Sequence, residues 1–215
     1  RKIQPSPVPK RKPLENKVYV ALFLSDGDNI QYCEHKMCRL WDNPLRGTFP
    51  INWTVSPGLA DLGPGLLNYY YETASDKDCL VSGPSGMGYS LIYDELNDIW
   101  HTSERETIEN YTKLTERYLK KSGIRIITIW DRVNREQAEV YADNCRYLTG
   151  VTLEDWKRAP KIEAASYGGR LAFIGNRPCY TSEVEDMFRE WKDSITVFDG
   201  SRPAFFTSQG ESWNM

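Results

Sequence analysis

The stretch Val18-Tyr-Val-Ala-Leu-Phe-Leu-Ser-Asp-Gly-Asp-Asn29 constrains the fold most. Seven apolar, β-favouring residues run without interruption into two carboxylates and an amide. An alternating pattern would mark a strand with one wet face, whereas an unbroken apolar run marks a strand covered on both faces, as in parallel sheets. Parallel α/β sheets present their reactive groups beyond the carboxyl ends of the strands. Asp26 and Asp28 are therefore the first candidate site residues, and Asn29 is placed either to touch a ligand or to cap the helix that follows.

The rest of the chain repeats the pattern. Apolar runs at 49–55, 79–82, 124–130, 148–153 and 203–208 predict further strands, separated by segments with helical spacing. The clearest helix begins at the capping box Ser103-Glu-Arg-Glu106 and stops at Gly123. A second capping box, Ser182-Glu-Val-Glu185, leads a helix with Val184, Met187, Phe188 and Trp191 on one face. Residues 161–174 read as a hairpin about Tyr167-Gly-Gly-Arg170. Strand alternating with helix predicts an α/β fold, a largely parallel sheet with crossover helices, open or closed as a partial β/α barrel. Residues 1–16, with four prolines among lysines and arginines, read as a linker or arm to an upstream domain. Residues 17–215 read as a single barrel-like domain, truncated after its last strand.

The 215 residues carry a net charge of −3, so no basic field invites nucleic acid, and no apolar run is long enough to be a transmembrane segment. Five cysteines leave an odd thiol, and Cys33-Glu-His35-Lys-Met-Cys38 has too few ligands for a structural zinc site. No phosphate loop, dinucleotide fingerprint or nucleophile elbow is present, so no organic cofactor is expected.

On a parallel sheet the residues after each strand share one rim: Asp26, Asp28, Asn29, Ser56, the stretch Ser82 to Tyr89, Asp131 and Arg132, Glu154 and Asp155, and Glu211. A rim rich in carboxylates and poor in histidine suits glycoside hydrolysis, where one carboxylic acid protonates the leaving oxygen and a second attacks or activates water. Asp26, Asp28, Asp131 and Glu211 are the catalytic candidates. Trp53, Tyr89, Trp130 and Trp213 are candidates for stacking on sugar rings. The glycines of Gly83-Pro-Ser-Gly-Met-Gly-Tyr89 suit either a loop lining a substrate or a plain tight turn. The Asp26/Asp28 pair also offers the oxygen ligands a divalent cation prefers.

Four blocks in this order carry a resemblance: Ser25-Asp-Gly-Asp-Asn29, Ile51-Asn-Trp-Thr-Val-Ser-Pro-Gly58, Leu62-Gly-Pro-Gly-Leu-Leu-Asn-Tyr-Tyr-Tyr71 and Ser82-Gly-Pro-Ser-Gly-Met-Gly-Tyr89. Over residues 17–213 the chain resembles the C-terminal domain of the GxGYxYP family of glycoside hydrolase-like proteins, with Gly86-Met-Gly88-Tyr89 as the signature. It departs where Ser90-Leu-Ile-Tyr93-Asp94 replaces the Tyr-Pro ending. The resemblance implies a secreted or envelope protein acting on carbohydrate or polysaccharide, with a smaller domain upstream. Its matched positions are Asp26, Asp28, Asn29, Gly86, Gly88 and Tyr89. Three activities fit: a carbohydrate-active hydrolase, a non-catalytic carbohydrate-binding or scaffolding module, and a metal-dependent polysaccharide deacetylase.

Overall fold

The computed structural model describes residues 2–8, 10, 12–92, 105–130, 132–154, 165–167, 169–177 and 179–213. Strand β1 (Val18–Leu24) is followed by two short helices, α1 (Ile30–Glu34) and α2 (Lys36–Trp41), then β2 (Ile51–Val55). Next come α3 (Leu59–Leu62), α4 (Pro64–Thr73) and β3 (Asp78–Ser82), then α5 (Arg105–Ser122), β4 (Ile126–Trp130), α6 (Arg135–Asn144) and β5 (Gly150–Glu154). The chain continues through β6 (Ala165–Tyr167), β7 (Leu171–Gly175), α7 (Val184–Thr196) and β8 (Ala204–Gly210).

The sheet order is β6-β7-β5-β4-β3-β2-β1-β8. Every pairing is parallel except β6 with β7, which form the expected hairpin. The parallel bridge between Asn176 and Thr207 links the end of β7 to β8. Seven parallel strands thus curl into a nearly closed barrel with helices between them, the α/β architecture the alternation implies.

Local chemistry explains the helix limits. The helical stretch between β2 and β3 breaks in two at Gly63-Pro64, because proline suits a first helical turn and cannot continue one. Asn29 caps α1 by accepting from the Tyr32 N–H. Asn134 and Gln137 form a full capping box on α6. The box predicted at Ser182–Glu185 does not form: Glu183 holds the cap position without a side-chain bond, and its N–H turns back to Thr181 Oγ1. The box at Ser103 lies outside the described residues.

Part of the core gathers where β2 and β3 meet α2 and α4. Trp41 packs edge-on to Trp53 (5.1 Å) and Tyr70 (5.0 Å), and the Arg46 guanidinium lies 4.4 Å from the Trp41 ring. Asp78, at the start of β3, accepts from Trp53 Nε1 (2.8 Å), Arg46 Nη1 (2.5 Å) and the Ser75 backbone and hydroxyl. Burial alone would raise its carboxyl, but these donors outweigh it and hold Asp78 below the ordinary aspartate value. Outside the barrel, an apolar groove of about 510 Å³ runs between β1, β2 and α7 and carries no carboxyl among its lining residues. The outer face of β1 is less covered than its sequence suggests, with Val20 45% exposed. At the chain start, Ile3 is buried, and Gln4 N–H and Lys2 C=O bond the Asn68 side chain on α4.

Two glycines decide where the loops at the strand ends run. A Cβ on Gly27 would lie 1.9 Å from the Thr54 carbonyl, and one on Gly83 would lie 2.4 Å from the Asp28 backbone nitrogen. The β1 loop therefore threads between the backbones of β2 and the β3 loop, and Gly27 N–H is held by Thr54 Oγ1 at 2.9 Å. A Cβ on Gly88 would meet nothing within 4 Å. Gly83→Ala is expected to lower unfolding free energy by about 2 kcal/mol or more through overpacking. Gly88→Ala should stay within about 0.5 kcal/mol of wild type. Urea unfolding of the two variants side by side checks this, and equal midpoints would refute the close approach.

Candidate active site

At the carboxyl ends of the strands a cavity of about 400 Å³ opens to solvent. Its acidic side is Asp26 and Asp28 after β1 and Glu154 at the end of β5; its aromatic side is Tyr89, Trp130 and Tyr180. Ser25, Asn29, Pro84 and Gln209 complete it.

Asp26 and Asp28 are half-buried, on the two sides of the glycine that draws their loop over the mouth. Burial raises the Asp26 carboxyl, and a hydrogen bond from the Tyr180 hydroxyl (3.2 Å) opposes that rise. For Asp28 the opposing contribution is a bond from its own backbone N–H. Burial first, and then the Asp26 charge, push it up to about 6. Glu154 is fully buried, and neither carboxyl oxygen has a hydrogen-bond partner among the described residues. Burial, with the charges of Asp28 and Asp26 added, raises its carboxyl well above the ordinary glutamate value. The three acids are close enough to feel one another's charge, and the cavity lining contains no Lys, Arg or His among the described residues.

The remaining candidates divide. Trp130 joins the site, edge-on to Tyr180 (5.5 Å) and tilted against Tyr89 (6.1 Å). Tyr89 is 56% exposed and lines the mouth. Gly86 and Gly88 do not line the cavity; they shape the loop that carries Pro84 and Tyr89 there. Gly86, at φ +135°, sits against Thr115 of α5, and Tyr111 of α5 donates to Gly88 C=O at 2.5 Å. Glu211 is buried next to the site, where its charge reaches Asp26, and it accepts from the Trp213 N–H at 2.6 Å. The Trp213 ring packs on Tyr32. Trp53 is 2% exposed in the core, bonded to Asp78. Asp131, Asp155, Tyr93 and Asp94 lie outside the described residues. No three of the described His, Cys, Asp and Glu side chains converge as a metal-binding group. The Cys33 thiol bonds Gly27 C=O, and Cys38 sits 3.1 Å from the Tyr70 hydroxyl.

Two participants go beyond the sequence candidates. Glu154 is on the predicted rim and ends an apolar strand, the same signal that marks Asp26. Tyr180 carries no such signal. It sits in the β7–α7 loop at φ +53°, a backbone region that a bulky residue rarely adopts. The flanking chain leaves it little choice: Arg177 N–H bonds Thr207 C=O, Thr181 N–H bonds Gln209 C=O and Glu211 N–H bonds Thr181 C=O. Two parallel attachments to β8 thus aim the phenol at Asp26.

The fold and the mouth define an α/β barrel-like protein whose acids and aromatic rings gather at the carboxyl ends of its strands. The family model for the "GxGYxYP putative glycoside hydrolase C-terminal domain" matches residues 16–173, and the chain belongs to that family. Among solved structures, it is similar to a "putative hydrolase from Bacteroides thetaiotaomicron VPI-5482" (22% identity, TM-score 0.80), over 99% of this chain and 42% of that one. It is also similar to a "putative polysaccharide deacetylase from Mycobacterium smegmatis" (12% identity, TM-score 0.53), over 98% and 82% respectively. These likenesses concern the fold, and the chain spans less than half the length of the Bacteroides protein. No curated protein matches.

The raised Asp28 carboxyl has a consequence for stability. Folded Asp28 holds its proton up to about pH 6, while an unfolded aspartate loses it near 3.8. The folded chain therefore loses stability as pH rises between those values. Asp28→Asn removes that loss. Well above pH 6 the variant is expected to be more stable by about 1 kcal/mol, less than the full shift because the open side of the cavity is solvated. Below pH 3.8 the two proteins should unfold alike. Thermal or urea unfolding across this range checks the sign, and a variant less stable than wild type at high pH would contradict it.

Proposed function

We propose that this domain is a carbohydrate-active hydrolase that cleaves glycosidic bonds at the mouth of its barrel. The observation that carries the reading is the pairing of two half-buried aspartates at the cavity, of which Asp26 accepts a hydrogen bond from the Tyr180 hydroxyl. Glycoside hydrolysis needs one carboxyl protonated and one ionised at the same pH. Asp28, whose carboxyl burial and the Asp26 charge push up to about 6, serves as the acid that protonates the leaving oxygen. Asp26, which accepts from Tyr180, serves as the ionised partner that attacks the anomeric carbon or activates water. Tyr89 and Trp130 offer ring faces to the sugar, as aromatic groups do where one side of a ligand is apolar and its rim is wet. The family name and the Bacteroides neighbour's title support hydrolase chemistry. The reading carries with it a secreted or envelope setting, where polysaccharide is met.

A non-catalytic carbohydrate-binding module would use the same aromatic wall. The deacetylase title of the second neighbour suggests a metal-assisted alternative, with Asp26 and Asp28 as ligands to a divalent cation. His35, the histidine among the described residues, lies at the junction of α1 and α2 and does not line the cavity. That observation favours the carboxyl pair acting alone.

Asp26→Asn and Asp28→Asn are each expected to lower kcat by about 100-fold or more, with the circular dichroism spectrum retained. In the wild type, kcat/KM should fall as pH rises through about 6, where Asp28 gives up its proton. Release of reducing ends from a panel of polysaccharides is the readout. Full activity in both variants would remove the assignment, and binding without any release would favour the binding module.

A further inference from the structure

We infer that the mouth takes an internal stretch of a linear polysaccharide, with Trp213 as a second sugar platform, across Asp26 from Tyr89 and Trp130. The inference rests on the carbohydrate reading above and adds the shape of the substrate and a residue that holds it.

Trp213 is the starting point, because it is exposed and fixed at once. It is 47% exposed, which leaves a broad apolar surface in water. Yet its backbone N–H donates to the Glu211 carboxylate at 2.6 Å, and its C=O accepts from Lys36 Nζ at 3.3 Å. Its ring meets Tyr32 at 64°, with centroids 5.8 Å apart. Tyr32 is fully buried in α1, so the wall behind the indole is firm. Just before Trp213, Gly210 C=O accepts from Ser25 N–H, and Glu211 N–H donates to Thr181 C=O. The segment after β8 is thus tied to the loops that follow β1 and β7. A large ring held in place while still open to solvent suits stacking, because its ordering entropy is lost before a ligand arrives.

Its position gives the direction of the substrate. Helices α1 and α2 follow the β1 loop, so the contacts with Tyr32 and Lys36 put Trp213 on the outer flank of that loop. Tyr89 follows β3, Trp130 ends β4 and Tyr180 follows β7, and these rings touch in a row on the cavity side. The two groups meet at Asp26. It accepts from the Tyr180 hydroxyl at 3.2 Å, and the Trp213 side chain is a further, weaker donor to it. A single sugar occupies one platform. Rings on both flanks of the acid fit a chain that has units on each side of the linkage to be cut, and binding energy from those remote units can be used in the transition state.

The test uses the whole chain with dimers and hexamers of cellulose, xylan, chitin and amylose, following calorimetric binding, initial rates and first products. For the polymer accepted, the hexamer should exceed the dimer by about tenfold or more in affinity and in kcat/KM. Its first products should be fragments of two or more units. Trp213→Ala should lose that length preference, chiefly through KM. Trp213→Phe keeps a ring, lacks the N–H and should retain most of the preference. A Trp213→Ala protein that still prefers the hexamer, or one that loses the same factor on both lengths, overturns the platform. Monosaccharide as the first product overturns the internal stretch. If a hexamer is cleaved in either case, the hydrolase reading stands without the inference. If a hexamer is bound with a preference that depends on Trp213 and nothing is cleaved, the inference stands and the hydrolase reading falls. If no oligosaccharide is bound or cleaved, both fall.

Discussion

Because β1 hydrogen-bonds in parallel to β8 on one side and to β2 on the other, its carboxyl end opens on the same rim as theirs. The same holds around the barrel to β5 and β7, so the carboxyl ends of the seven parallel strands face one rim. No single loop needs much order of its own to build a site there. The β1 loop is pinned by Thr54, the β3 loop by helix α5, and the β7 loop by β8. The glycines at 27 and 83 let the first two pass at backbone distance, which brings Asp26 and Asp28 over the mouth.

The two ends of the barrel treat buried charge in opposite ways. At the base, Asp78 is bonded by Arg46, Trp53 and Ser75, and its carboxyl is held low. Such an acid is structural, since removing a donor would strand a charge in a poorly polar surrounding. At the mouth, Asp26, Asp28 and Glu154 are crowded without a cation among the described lining residues, and all three carboxyls are raised. Raised acids in an open cleft are costly to a fold and useful to chemistry, and the contrast within one molecule separates the two roles better than either end alone.

Much of this was legible in the sequence, and the exceptions share a cause. Unbroken apolar runs ending in polar residues located the parallel strands and put Asp26, Asp28, Trp130 and Tyr89 at one rim. What misled was residue type read without position. Trp53 has the chemistry of a sugar platform, but its place within β2 points it into the core, where Asp78 occupies its N–H. Gly86 and Gly88 match the family signature, yet their work is to bend a loop against Thr115 and Tyr111. Tyr180 was invisible because its contact with Asp26 spans 154 positions and depends on a loop docking to β8, which no local pattern encodes.

Tyr180 also shows how the site controls which acid does what. Asp26 and Asp28 are the same residue type, two positions apart, and equally part of one loop. Left to burial alone, both would rise and compete to hold a proton. The phenol at 3.2 Å breaks that symmetry, because it donates to Asp26 and stabilises its ionised form. The Asp26 charge then raises Asp28 further. The phenol thus restrains the rise of Asp26 while the Asp26 charge adds to that of Asp28, and the unfavourable φ of Tyr180 is the backbone cost of placing its donor there.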